Sequence, residues 1–205
     1  MSRSDLLKAL GKKGGGNFSD VLENLIDSGI IRSYTLYGGP RKKTIYQLMD
    51  FFTLFYLRFC ENPEFTSWRS VQRSKPFYTW AGNTFEILVI EHMPQLADTL
   101  RIKEYATPFS WHGDTPDGIG AQIDLVIPAT AERADYICEI KFSEGKYILK
   151  EDDVDDITRH IEALRNSNIH KPTHSVYVTL ITSFGVTESK HRSHLNDIIT
   201  LDSFF

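Results

Sequence analysis

Two short apolar runs carry charge where a buried strand ordinarily carries none. Residues 121–127 alternate as a strand, with Ile123, Leu125 and Ile127 expected on one face and Gln122, Asp124 and Val126 on the other. Residues 136–142 read as a second strand, with Glu139 and Lys141 on one face and Cys138, Ile140 and Phe142 on the other. The short stretch 128–134 turns the chain between them, so the pair is expected as a hairpin. That hairpin brings Asp124 beside Glu139 and Lys141 at one level of a sheet. Two carboxylates in a half-buried place repel one another, and a hard divalent cation, Mg2+ or Mn2+, neutralises both. The pattern therefore predicts a metal site held by Asp124 and Glu139, with Lys141 beside it.

Around this pair the chain reads as alternating helices and strands. Residues 76–92 form a helix with Phe77, Trp80, Ala81, Phe85, Leu88 and Val89 on its apolar side. Glu86 sits among five apolar neighbours there, and a buried carboxylate needs a cation or donor facing it. An exposed helix face or a local salt bridge is the alternative reading. Gln122 and Ser143 lie two residues from Asp124 and Lys141, which makes them candidate water or phosphate contacts on the site face. A helix is expected from Glu151 to about Asn166, its acidic first turn matching the helix dipole. Residues 176–184 supply an interior strand, and residues 198–205 a last strand or short turn. His170 and His174 flank Pro172, and neither they nor His191 and His194 read as zinc ligands.

The first 62 residues have a different character. A short helix at 5–10, a glycine-rich loop at 11–16 and a second helix capped by Asn17 or Ser19 lead to Gly29, where a left-handed stop is expected. Residues 30–37 and 44–48 then form a hairpin across Gly38-Gly39-Pro40, with Arg41, Lys42 and Lys43 at its tip. Helix, turn, helix and basic hairpin is the order of a winged helix-turn-helix, whose tip would touch nucleic-acid phosphate. Docking onto another domain is the competing use of such a module. Residues 50–61 are apolar almost all round and predict a buried helix. The glycine loop lacks the Lys and Ser/Thr of a nucleotide-phosphate loop, since Asn17-Phe18 follow Gly16.

Charge supports this division. Residues 1–80 carry 12 Lys/Arg against 7 Asp/Glu, whereas residues 81–205 carry 11 against 20. The basic half is the one expected to face nucleic acid or a protein partner, an ordinary solvated surface being the alternative reading. No stretch is apolar enough for a membrane span, the start lacks a signal core, and two distant cysteines make no disulfide framework. A reducing cytoplasm is the expected setting.

The spacing Asp-x14-Glu-x-Lys, with a helix bearing Glu86 before it, resembles the PD-(D/E)XK nuclease superfamily, Ile123 standing where the motif name has proline. The resemblance implies α/β architecture, a mixed sheet flanked by helices. It also implies that Asp124, Glu139 and Glu86 hold Mg2+ or Mn2+ while Lys141 positions or activates the attacking water, Glu86 completing or supporting the site. The segments 25–31, 51–56, 80–86, 120–124 and 138–143 further resemble the C-terminal region of bacterial and archaeal AAA-type ATPases, a winged helix followed by a PD-(D/E)XK-like domain. On that likeness residues 1–62 are the winged helix with its connecting helix, and residues 63–205 the nuclease-like domain. DNA and an ATPase domain, in cis or in trans, are the implied partners. A nuclease fold kept for nucleic-acid or protein binding is the alternative function.

Overall fold

The computed structural model describes residues 1–36 and 43–205. They fall into two compact units that meet within one helix, between Thr84 and Phe85. The first opens with α1 (Arg3–Ala9) and α2 (Gly16–Asp27). Ser2 caps α1 through a reciprocal pair with Asp5. The N-cap of α2 is Gly15, without a side-chain bond, so Asn17 and Ser19 lie inside the first turn rather than capping it. Gly29 takes φ 73° just past the helix, the left-handed stop its position calls for. Strands β1 (Ile31–Leu36) and β2 (Lys43–Leu48) pair antiparallel from Ile31 opposite Leu48 to Leu36 opposite Lys43. Arg41, Lys42 and the Lys43 side chain lie outside the described residues.

The expected single buried helix at 50–61 is instead α3 (Phe51–Phe55), capped by Asp50, running into a π-helical turn (Tyr56–Cys60). One stripe of such a helix can face a core, and here Phe55 and Phe59 take it. Phe59 is buried, whereas Phe52 is 72% and Leu57 52% exposed. Phe55 and Phe59 join Trp80 at ring distances of 5.4 and 6.0 Å, Phe59 meets Phe65 at 5.3 Å, and Trp68 meets Phe77 at 5.7 Å. This aromatic cluster links α3 to α4 (Trp68–Val71) and to the start of α5 (Lys75–Glu91). By its contacts the chain divides inside α5, after Thr84.

The second unit continues from α5 through α6 (Met93–Thr99), β3 (Phe109–Asp114), β4 (Gly120–Ala129), β5 (Ala134–Lys141), α7 (Glu151–Asn166), β6 (Ser175–Thr182) and β7 (Asp197–Thr200). The strands stand in sequence order in one sheet. Strands β3, β4 and β5 form an antiparallel meander, and β5, β6 and β7 run parallel, with α7 as the first crossover. The protein is thus α/β with a mixed five-stranded sheet. On one face Phe85, Val89, Met93 and Leu96 pack against Leu125, Ile127, Cys138 and Ile140. On the other, Ala163 and Leu164 of α7 pack against Ile123, Val126 and Ile137. Among the described residues no helix is long and apolar enough to cross a membrane.

One detail departs from simple alternation and places the charged residues. Phe109 pairs with Val126 but Trp111 pairs with Ile123, so three steps of β4 span two of β3. This β-bulge flips the face sequence at residues 124–125. Ile123 therefore packs under α7 with Val126, while Leu125 and Ile127 face α5 and α6, instead of all three sharing one face.

Candidate active site

At the bulge Asp124 turns its side chain into the sheet's own hydrogen-bond pattern. The β4–β5 ladder runs from Ala129 opposite Ala134 up to Leu125 opposite Cys138. One step beyond, Asp124 Oδ2 accepts the Ile140 N–H at 3.0 Å, and the Asp124 carbonyl accepts the Ser110 hydroxyl at 2.8 Å. Among the described residues Asp124 Oδ1 has no hydrogen-bond partner. On β5, Glu139 is 5% exposed, with Oε2 3.3 Å from Lys141 Nζ and Oε1 2.6 Å from His160 Nδ1. The expected convergence of Asp124, Glu139 and Lys141 is present, and α7 adds a fourth group.

His160 was not singled out from the sequence, although its position offered a signal. Val154, Ile157, Ala163 and Leu164 are the buried apolar stripe of α7, and His160 falls three residues after Ile157 and four before Leu164. A polar ring on that stripe needs a buried partner. Glu139 is that partner.

Together these groups line an open cleft of about 730 Å³ that also takes in Gln122, His112, Gly113 and Arg159. Its carboxylates are Asp114, Asp124, Glu139 and Asp156, against the cations Lys141 and Arg159, the latter held by Asp156 at 2.5 Å. Gln122 therefore joins the site as expected. Ser143 does not line the cleft, since its hydroxyl donates to the Gly145 carbonyl at 2.6 Å and its N–H to Ser183 Oγ at 2.9 Å. Glu86 is half-buried on α5 and is not among the cleft residues. Its neighbours Phe85 and Val89 pack on the sheet face opposite α7.

Burial pushes the Asp124 carboxyl above its ordinary range and the Glu139 charge adds to this, while the Ile140 N–H and Lys141 pull the other way. Burial alone would depress Lys141, but Glu139 and Asp124 outweigh it and hold the ammonium above its usual value. Burial raises the Cys138 thiol, on the far face of β5, and leaves it inert.

Among the described residues no three His, Cys, Asp or Glu are arranged to hold a metal ion by themselves. The donor set nevertheless suits Mg2+. That ion is commonly held by one or two carboxylates and completes its octahedron with water and substrate phosphate rather than with a protein cage. Asp124 and Glu139 are two such carboxylates, close enough that the Glu139 charge raises the proton affinity of Asp124. No family model matches the chain, and neither a curated protein nor a solved structure matches it.

Proposed function

We propose that residues 85–205 form a PD-(D/E)XK-type, Mg2+- or Mn2+-dependent nuclease domain that hydrolyses phosphodiester bonds in DNA. The observation that carries this reading is the meeting of Asp124, Glu139 and Lys141 in an open cleft whose carboxylates outnumber its cations four to two. A polyanion enters such a cleft favourably only when its charge is reversed, and two adjacent hard carboxylates are the place where a divalent cation does so. The bound ion would polarise the scissile phosphate and lower the pKa of water. Asp124 and Glu139 would hold it. Lys141, kept cationic by Glu139, donates hydrogen bonds to orient the attacking water or a phosphate oxygen, and does not accept the proton. Gln122, on the same wall, offers an amide to either.

The order of α1, α2 and the β1–β2 hairpin, with Arg41 and Lys42 between its strands in sequence and Lys43 opening β2, supports a winged helix-turn-helix that grips DNA phosphate. The likeness to AAA-type ATPase C-terminal regions makes this pair of units the effector part of such a motor, at work in the cytoplasm.

The test is nicking of supercoiled DNA with Mg2+ or Mn2+ by the full chain, alongside Asp124→Ala and Glu139→Ala. Activity in the wild type alone is the expected result, and undiminished nicking by both variants overturns it. A second reading rests on the two partners that already occupy Glu139, His160 and Lys141. In it the nuclease fold is a non-catalytic module for binding nucleic acid or docking on the ATPase. Salt-dependent DNA binding without metal uptake or nicking, lost on neutralising Arg41, Lys42 and Lys43, would select that alternative.

A further inference from the structure

We infer that His160 is a positioning residue of the hydrolytic site, acting through Glu139 to set its affinity for the metal; the inference rests on the nuclease reading above. The geometry is specific. Glu139 has three side-chain torsions, and a carboxylate free to turn beside Lys141 would give both oxygens to the ammonium. Here one oxygen is taken by the imidazole at 2.6 Å and the other lies 3.3 Å from the ammonium. A carboxylate oxygen is the acceptor in such a pair, which assigns the hydrogen to His160 Nδ1. The imidazole is itself immobilised. His160 is 6% exposed, and its backbone is fixed by the burial of Ile157 one turn before and Leu164 one turn after.

The consequence is a carboxylate whose plane is set by a buried donor on a second element. It presents a single oxygen on the side of Lys141, in the wall of the cleft that Asp124 shares. A ligating carboxylate oriented in this way binds metal more tightly than one that must be reoriented on binding. If His160 served only to fill the stripe on α7, its loss would lower stability and leave metal binding alone. The two roles therefore separate in measurement.

The experiment titrates the full chain with MnCl2 by calorimetry, follows nicking against Mn2+ concentration, and records thermal unfolding for three variants. His160→Asn keeps an amide N–H close to the Nδ1 position. His160→Gln moves that donor to the Nε2 position, and His160→Leu removes it while filling the volume. The Gln and Leu variants are expected to bind Mn2+ about 10- to 100-fold more weakly, with nicking recovered at raised Mn2+, while Asn stays within about threefold of wild type. Should Leu fail to fold, the contrast between Gln and Asn carries the same test. Wild-type Mn2+ affinity in the Gln variant, with only a lowered unfolding temperature, would overturn the inference and leave the nuclease reading standing. Equal loss in Asn and Gln would overturn the donor assignment. A wild type that neither binds Mn2+ nor nicks DNA would remove the nuclease reading and this inference with it.

Discussion

Strand β5 carries a buried carboxylate paired with imidazole at each end, and the two ends behave as opposites. Near its start Asp135 gives one oxygen to His170 Nδ1 at 2.8 Å and the other to His174 Nδ1 at 3.1 Å. Near its finish Glu139 gives one oxygen to His160 and has Lys141 on the other, with Asp124 crowding the same level. The first set is saturated: one acceptor group, two donors, all three side chains at most 8% exposed. It fastens the connection between α7 and β6 onto the sheet, helped by the Ser175 N–H on the Arg133 carbonyl at 2.9 Å. The second set has a carboxylate too many and opens on solvent. A matched polar group in a dry place stabilises a fold, whereas surplus like charge beside a cleft leaves capacity for a ligand.

Removing each carboxylate tests that contrast most directly. Glu139→Ala is expected to reduce metal-dependent nicking by about a hundred- to a thousandfold, the scale of losing one preorganised electrostatic contact to a transition state. Its stability cost should be the smaller of the two, because it strands one buried imidazole, His160, and relieves the charge beside Asp124, while Lys141 is 40% exposed and can turn to water. Asp135→Ala should do the reverse. It strands two buried imidazoles without an acceptor and should lower stability by about 3 kcal/mol in urea unfolding, with the folded fraction fully active. Were Asp135→Ala to cost activity without stability, the saturated end would be part of the site and the comparison would fail.

These two ends also differ in how far the sequence disclosed them. Asp124, Glu139 and Lys141 could be brought together because a period of two and a short turn set their register locally. The bulge that re-aims Asp124 could not, since it depends on how β3 lies against β4. Strand β3 itself offered only Phe109 and Trp111 as alternating apolar positions. His160 and Glu139 are 21 positions apart, and Asp135 lies 35 and 39 from its two imidazoles. Pro172 does rule out a helical His170–His174 pair, yet both rings reach one carboxylate from an irregular connection. The helix at 50–61 erred in the other direction. Its composition announced burial, and only a stripe found a core.

A third substitution probes the floor of the cleft instead of its charges. Gly113 lies two residues from Trp111 on β3 and lines the cleft, and a Cβ at that position would collide with the Trp111 indole. Trp111 is 2% exposed and packed under α7, so the ring cannot swing away freely. Gly113→Ala should therefore lower stability by about 2 kcal/mol, the usual scale of overpacking, as read from urea unfolding. Unchanged stability would mean that the indole has room to move. The cleft would then be less rigid than the fixed donor on Glu139 requires.

The smallest effect expected is the most discriminating in sign. Burial and Glu139 hold the Asp124 carboxyl above its ordinary range, so over the window from the unfolded-state value up to the folded one the native protein keeps a proton that the unfolded chain has released. Stability falls as pH rises through that window, and at neutral pH the ionised group opposes folding. Asp124→Asn removes the charge but retains an oxygen to accept the Ile140 N–H, so the sheet at the bulge should survive. The variant should be more stable than wild type at neutral pH by on the order of 1 kcal/mol, the gain disappearing in acid where Asp124 is protonated in both states, and it should no longer nick DNA. Thermal unfolding measured from acid to neutral pH reads both curves. Added Mn2+ should raise the wild-type curve toward that of the variant, because an ion that binds only the folded state offsets the same repulsion. A less stable Asp124→Asn would show Lys141 already neutralising the pair, and the unsaturated end of β5 would then be as complete as the end at Asp135.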